Sequence, residues 1–161
     1  MTASGYSPPM ATARAQSPIP QDVYDSLEQL IFGAIGLTSF ALSQSAATDL
    51  TLPQWRALVV IGRSKSIRVG EIAARIGMSL PSTSRLIGRL ERRGYVSTER
   101  DESDRRATLV RMTATGHLVR DTVIARRRQL MDAALVAYAD RLPKDLSRGL
   151  AILAKAFDRY E

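Results

Sequence analysis

Two short helical segments joined by only three residues, Gly77-Met78-Ser79, constrain this chain more than any other feature of it. In "RVGEIAARIG", Val69, Ile72, Ala73 and Ile76 share one face, and Gly77 supplies the stop. In "MSLPSTSRLIGRLERRGY", Ser79 is an N-cap residue, Pro81 suits a first helical turn, and Gly94 is a C-terminal stop. Thr83, Leu86, Ile87 and Leu90 recur at helical spacing and face inward, while Ser82, Arg85, Arg89, Arg92 and Arg93 fall on or near the opposite side. So short a connection makes the two helices cross steeply, which is a helix-turn-helix. A second helix that is apolar on one side and Ser/Arg-rich on the other can be anchored in a domain and still enter a DNA major groove. Arginine forks onto guanine, and serine bonds to bases or phosphate. An ordinary basic surface helix shows the same pattern, so the adjoining residues carry the decision.

Past the second helix comes "RDESDRR", Arg100 to Arg106, with six charged residues of seven, set between the strand-like stretches "GYVSTE" and "ATLVRM". Such a run is commonly a solvated hairpin tip. Directly after a helix-turn-helix, however, it is the tip of a wing, where an arginine can enter the narrow, strongly negative minor groove. The charge is local. From Arg63 to Arg111 there are twelve basic residues against six acidic ones, which is +6 of the chain's formal +7. The total alone suits either nucleic acid or a membrane surface. A membrane role needs a basic amphipathic helix with bulky apolar residues opposite, and 80–93 meets that only loosely. Glu99, Asp101 and Glu102 read as wing solvation.

Other chemistries are poorly supplied. No cysteine and one histidine, His117, leave no thiolate site, no thiol oxidation sensor and no multi-histidine metal centre within one chain. No glycine-rich phosphate loop and no nucleophile–base pair stand out, so no enzyme, metal or cofactor is expected. No apolar run approaches the roughly 20 residues that span a bilayer, and no secretory signal order opens the chain, so the expected location is the cytoplasm.

The flanks are helical. Residues 1–20 are rich in Pro, Ser, Thr and Ala and read as a disordered tail. From Gln21 the residues Val23, Leu27, Leu30, Ala34, Leu37 and Ala41 recur at 4-3 spacing, widened by Ile31, Ile35 and Leu42. "TLPQWRALVVIG" comes next, with Thr51 as N-cap and Trp55, Leu58, Val59 and Ile61 expected to be buried. Thr113 caps a long helix to about Tyr138. A last helix after Pro143 carries Leu146, Leu150, Leu153, Phe157 and Tyr160 as a pairing seam.

With these parts in order, "IGMSLPSTSRLIGRLERRGYVSTERDESDRRATLVRMTATG" resembles the core of the MarR family of bacterial transcriptional regulators, through the "LERRGYV" helix exit, the "DRR" tip, and "LVRMTATG" leading into a long helix. The resemblance implies a mainly α chain with a small β-hairpin wing. Its winged helix-turn-helix domain (49–115) would be flanked by an N-terminal dimerisation helix (21–48) and C-terminal dimerisation helices (116–161). It further implies a homodimer bound to pseudo-palindromic double-stranded DNA. Ser82, Ser84, Arg85 and Arg89 then fall in or beside the groove-reading segment, Arg106 at the minor-groove position, Asp104 at its supporting acid, and Arg105 against phosphate. Where the family commonly has Thr or Ser before the first of the two helices, this chain has Arg68, a poor N-cap.

The family resemblance also implies repression relieved by a small, often aromatic acid. The alternative is an effector-independent or architectural DNA-binding protein. No ligand site is assigned by sequence. Trp55, Phe32, Phe40 and Tyr24 suit a cavity wall, but at helical spacing such residues are more often core. His117 and the Arg126–Arg128 run suit an anionic ligand, yet a solvated helix face explains them as well.

Overall fold

The computed structural model describes residues 18–45, 50–101, 103–104 and 107–157. The order is α1 (Gln21–Gln44), α2 (Leu52–Ile61), β1 (Ile67–Arg68), α3 (Val69–Ile76), α4 (Leu80–Arg92), β2 (Val96–Arg100), β3 (Thr108–Met112), α5 (Ala114–Leu135), a 3-10 segment (Val136–Arg141) and α6 (Leu146–Phe157). The fold is mainly helical with a small antiparallel sheet, as the pattern implied. Packing divides it into residues 1–36 and 37–161, with the boundary inside α1.

The sheet has three strands where the sequence suggested two. β3 lies in the middle, paired with β2 from Val96↔Met112 to Arg100↔Thr108, and with β1 through Ile67↔Val110 and Arg68↔Leu109. β1 is only two residues long, too short to show a period of its own, and it exists because β3 offers a second edge.

Helix ends obey local chemistry. The Ser79 hydroxyl accepts from Ser82 N–H at 3.4 Å, and the Thr113 hydroxyl accepts from Gly116 N–H at 3.0 Å. At α2 the cap works in reverse, since the Gln54 carboxamide oxygen accepts from Thr51 N–H at 2.9 Å. Gly77 and Gly94 hold φ of 68° and 72°, a region costly for residues with a Cβ. They close α3 and α4, with Met78 N–H returning to Ala73 C=O and Tyr95 N–H to Leu90 C=O. The long helix ends earlier than expected, tightening to 3-10 geometry from Val136.

The core of the larger unit joins Ala41 and Leu42 to Trp55, Leu58 and Ile61 of α2, Ile72 of α3, and Leu86, Ile87 and Leu90 of α4. Val110 of β3 and Val123 of α5 complete it. Val59, expected inside, is half-buried. Large apolar side chains stay exposed along α1 (Leu30, Phe32, Ile35, Phe40) and from the end of α5 through α6 (Leu135, Val136, Tyr138, Leu150, Ile152). Contrary to the sequence expectation, α1 is long and apolar enough to cross a membrane by length and composition, with a mean hydropathy of 1.2 over its best window. A stripe widened to more than one face raises the average of the whole helix.

Candidate nucleic-acid interface

α4 is the most exposed-polar, buried-apolar helix of the winged-helix region. Thr83, Leu86, Ile87 and Leu90 are all buried, which clamps one side against α2 and α3. The Thr83 hydroxyl, which has no water to reach, donates to Ser79 C=O at 3.1 Å. The other side carries Ser84, Arg85, Arg89, Arg92 and Arg93, all exposed. Ser82 differs from them. It is half-buried, and its hydroxyl accepts from Ser79 at 3.0 Å within the cap. The helix N-terminus beside Ser82 carries the positive end of the helix dipole, a favourable place for phosphate.

The hairpin is tied to α4 and to the entry of α3. Glu91, near the end of α4, accepts from Thr98 N–H at 2.8 Å and from the Thr98 hydroxyl at 2.6 Å, so β2 cannot swing independently of the helix. Thr113 donates its hydroxyl to Gly94 C=O at 2.6 Å, fixing the loop between α4 and β2 to the start of α5.

At the outer end of the sheet lies a polar cluster that overturns the reading of Asp101 as wing solvation. The Asp101 side chain is 9% exposed. Its Oδ2 accepts from Arg68 Nε at 2.8 Å, and Oδ1 accepts from Ser103 N–H at 2.9 Å and the Ser103 hydroxyl at 2.6 Å. Arg68 also donates to Ser103 Oγ at 3.2 Å, closing the triad. The Asp101 pKa is lowered from 3.8 to about 2, chiefly by the hydrogen bonds from Ser103 and then by that from Arg68. The Arg68 pKa is raised by the hydrogen bond to Asp101 and the charge behind it. Arg68 makes no side-chain cap to α3, so the departure seen in the sequence serves a contact 33 residues away. Glu99 pairs across the sheet with Arg111. Glu102, Arg105 and Arg106 lie outside the described residues. Asp104 is exposed, and its carbonyl accepts from Ala107 N–H at 2.8 Å where the chain turns back to β3.

A second feature is an open cleft of about 450 Å³ between α2 and α5. Trp55, Val59 and Ile124 give it an apolar wall, and Arg56, Arg63, Arg120 and Arg127 a cationic one. Arg120 reaches Gly62 C=O at 3.4 Å and pairs with Asp121 at 2.8 Å. Of the aromatic residues considered from sequence, only Trp55 lines it. Phe32 and Phe40 are exposed elsewhere. His117 is exposed and does not line it. Among the described residues, no group of His, Cys, Asp and Glu could hold a metal ion.

Comparison with known proteins bears on the whole arrangement. The sequence pattern of the MarR family matches residues 48–107, the span from before α2 to the start of β3. An HTH-type transcriptional regulator of Bacillus subtilis, YfiV, is 27% identical over 125 residues, covering 76% of this chain and 78% of that protein. The transcriptional activatory protein BadR of Rhodopseudomonas palustris is 40% identical over 76 residues, 45% of this chain and 43% of its own. The fold matches that of a MarR variant from E. coli complexed with operator DNA, with a TM-score of 0.63 at 21% identity, over 84% of this chain and 93% of that one. Residues 48–107 thus carry the sequence pattern of the MarR family, and the fold, flanking helices included, matches that of a MarR protein.

Proposed function

We propose that this protein is a sequence-specific DNA-binding repressor that holds a pseudo-palindromic operator as a homodimer in the cytoplasm and lets go when a small aromatic acid binds. The observation that carries the DNA reading is the exposed Ser84–Arg85–Arg89 face of α4, clamped from behind and standing beside the hairpin. In this reading Ser82, Ser84 and Arg85 meet base edges and phosphates in the major groove, while Arg89 and Arg105 take backbone phosphate. Arg106 enters the minor groove, with Asp104 supporting its guanidinium. The E. coli relative was solved with operator DNA, which supports the same use of the fold here.

Two copies explain the exposed apolar residues of α1 and of α5 through α6, because patches of that size on a lone soluble chain call for a partner. The chain then divides by role into a tail (1–20), an N-terminal dimerisation helix (21–48), the DNA-binding domain (49–115) and C-terminal dimerisation helices (116–161). The cleft between α2 and α5 favours an effector over an architectural role. Its arginines suit a carboxylate, and Trp55, Val59 and Ile124 suit an aromatic ring. A wedge there would push α2, which backs the helix-turn-helix.

The test is selection of bound fragments from random duplex DNA at about 0.15 M salt, where non-specific binding is suppressed. A pseudo-palindrome with half-sites about one helical turn apart is expected. Bare A·T-rich bias refutes sequence-specific repression. With the selected site as probe, a panel of benzoic and phenolic acids should release wild-type protein but not the Arg127→Ala variant. A promoter fusion reads the sign of regulation, which matters because BadR is named an activator.

A further inference from the structure

The triad at the outer end of the sheet is not explained by folding of the helix-turn-helix. Arg68 stands at the N-cap position of α3, where a short polar side chain would satisfy the helix. Its side chain instead leaves the helix and runs past β3 to the end of β2, because β1 pairs Arg68 with Leu109 and so aims it along the sheet. There it meets a carboxylate already shaped by Ser103 N–H, an Asx-turn that bends the chain away from β2. Asp101 N–H also bonds Ala107 C=O at 3.0 Å, so the two ends of the tip segment 102–106 are held to each other and, through Arg68, to the entry of α3.

We propose that Arg68 is a positioning residue for DNA binding: by gripping Asp101 and Ser103 it fixes the direction in which the chain leaves β2 and returns to β3, and so aims the wing at the groove beside α4. This rests on the DNA-binding reading above. The forked guanidinium suits the task, since Nε and a terminal nitrogen both reach Asp101 Oδ2, at 2.8 and 2.6 Å, while the terminal nitrogen also reaches Ser103. A lysine keeps the charge and loses the fork. A segment aimed before it meets DNA loses less freedom on binding. The expected effect on affinity is roughly two- to tenfold.

The experiment measures affinity for the selected operator against salt concentration for wild type, Arg68→Ala, Arg68→Lys, Asp101→Asn and the double variant Arg68→Ala/Asp101→Asn. Asp101→Asn is decisive because it removes a negative charge near DNA. Simple electrostatics makes that variant bind more tightly, whereas positioning makes it bind several-fold more weakly. The expected result is a loss for both single alanine and asparagine variants, incomplete rescue by lysine, a double variant no worse than either single one, and an unchanged salt slope. Asp101→Asn binding as well as or better than wild type overturns the proposal. So does a salt slope reduced by about one in Arg68→Ala, which marks a direct phosphate contact. Should either variant fold poorly, Ser103→Ala, which leaves the ion pair, must still weaken binding, and unchanged affinity there also counts against positioning. Wild-type protein that selects no DNA overturns the parent reading and this one together, whereas intact wild-type binding with indifferent variants overturns only this one.

Discussion

Replacing Gly116 by alanine sets two effects of opposite sign against each other. Gly116 lies in the first turn of α5, and alanine is a better helix former than glycine by up to about 1 kcal/mol. Sequence reasoning alone therefore expects stabilisation. The structure expects the reverse. Gly116 is buried, and a Cβ built on it falls inside contact distance of the Tyr95 carbonyl oxygen, 3.0 Å from the Tyr95 carbonyl carbon and 2.8 Å from Met112 Cγ. Carbon atoms pack best at about 3.5–4.0 Å, so Met112 must give by roughly 0.7 Å or more. Met112 can bend, but Tyr95 cannot easily yield. Its carbonyl accepts from Thr113 N–H at 3.1 Å and its N–H donates to Leu90 C=O at 3.0 Å. Overpacking of this kind costs about 1–3 kcal/mol, and weakening the Thr113 bond adds about 0.5–1.5 kcal/mol. After the helix gain the net expectation is a loss of about 1–3 kcal/mol. Gly88 in the middle of α4 is the control, because a Cβ there meets nothing within 4 Å, so Gly88→Ala should gain about 0.5–1 kcal/mol. Urea unfolding monitored by circular dichroism at fixed protein concentration reads both. A Gly116→Ala midpoint at or above wild type would refute the close approach of α5 to the α4–β2 loop.

Three further outcomes are expected. Leu90→Ala, at a fully buried side chain, should cost about 2–5 kcal/mol in the same urea assay, and less than about 1 kcal/mol would mean that α4 is not clamped as described. Asp101→Asn should lower stability relative to wild type at neutral pH. Since the folded pKa is depressed to about 2 from 3.8, the wild-type advantage is full above the ordinary carboxylate range and fades as pH falls through about 4 towards 2, and a difference that does not narrow over that window counts against the triad. Arg85→Ala should weaken operator binding by about 1–3 kcal/mol and relax preference at one base pair per half-site, with dimerisation unchanged by sedimentation.

The parts of the fold that could be read from sequence are those decided within a turn or two of chain. Gly77 and Gly94 at positive φ, Ser79 and Thr113 as caps, and the Thr83–Leu86–Ile87–Leu90 stripe each depend on residues no more than four apart. β1 was not legible, because its two residues become a strand only by pairing with Val110 and Leu109 across some forty residues. The cleft was not legible either, since Arg56 and Arg63 meet Arg120 and Arg127 only once α2 packs on α5. Charge counting failed in the most instructive way. It gave the segment 63–111 a surplus of six positive charges without saying where the surplus is felt. In the fold, Asp101 is spent on Arg68, Glu99 on Arg111, and Glu91 on Thr98. The first two pairs offset Arg68 and Arg111 on the sheet, and the third turns the one acid of α4 towards β2. The basic residues that stay exposed on α4 are Arg85, Arg89 and Arg92, at spacings of four and three residues, with Arg93 exposed at the C-cap. The acids that looked like dilution of a basic surface are therefore engaged in the hairpin: they tie it to α3 and α4 and leave the arginines of α4 exposed on the helix that a winged helix brings to DNA.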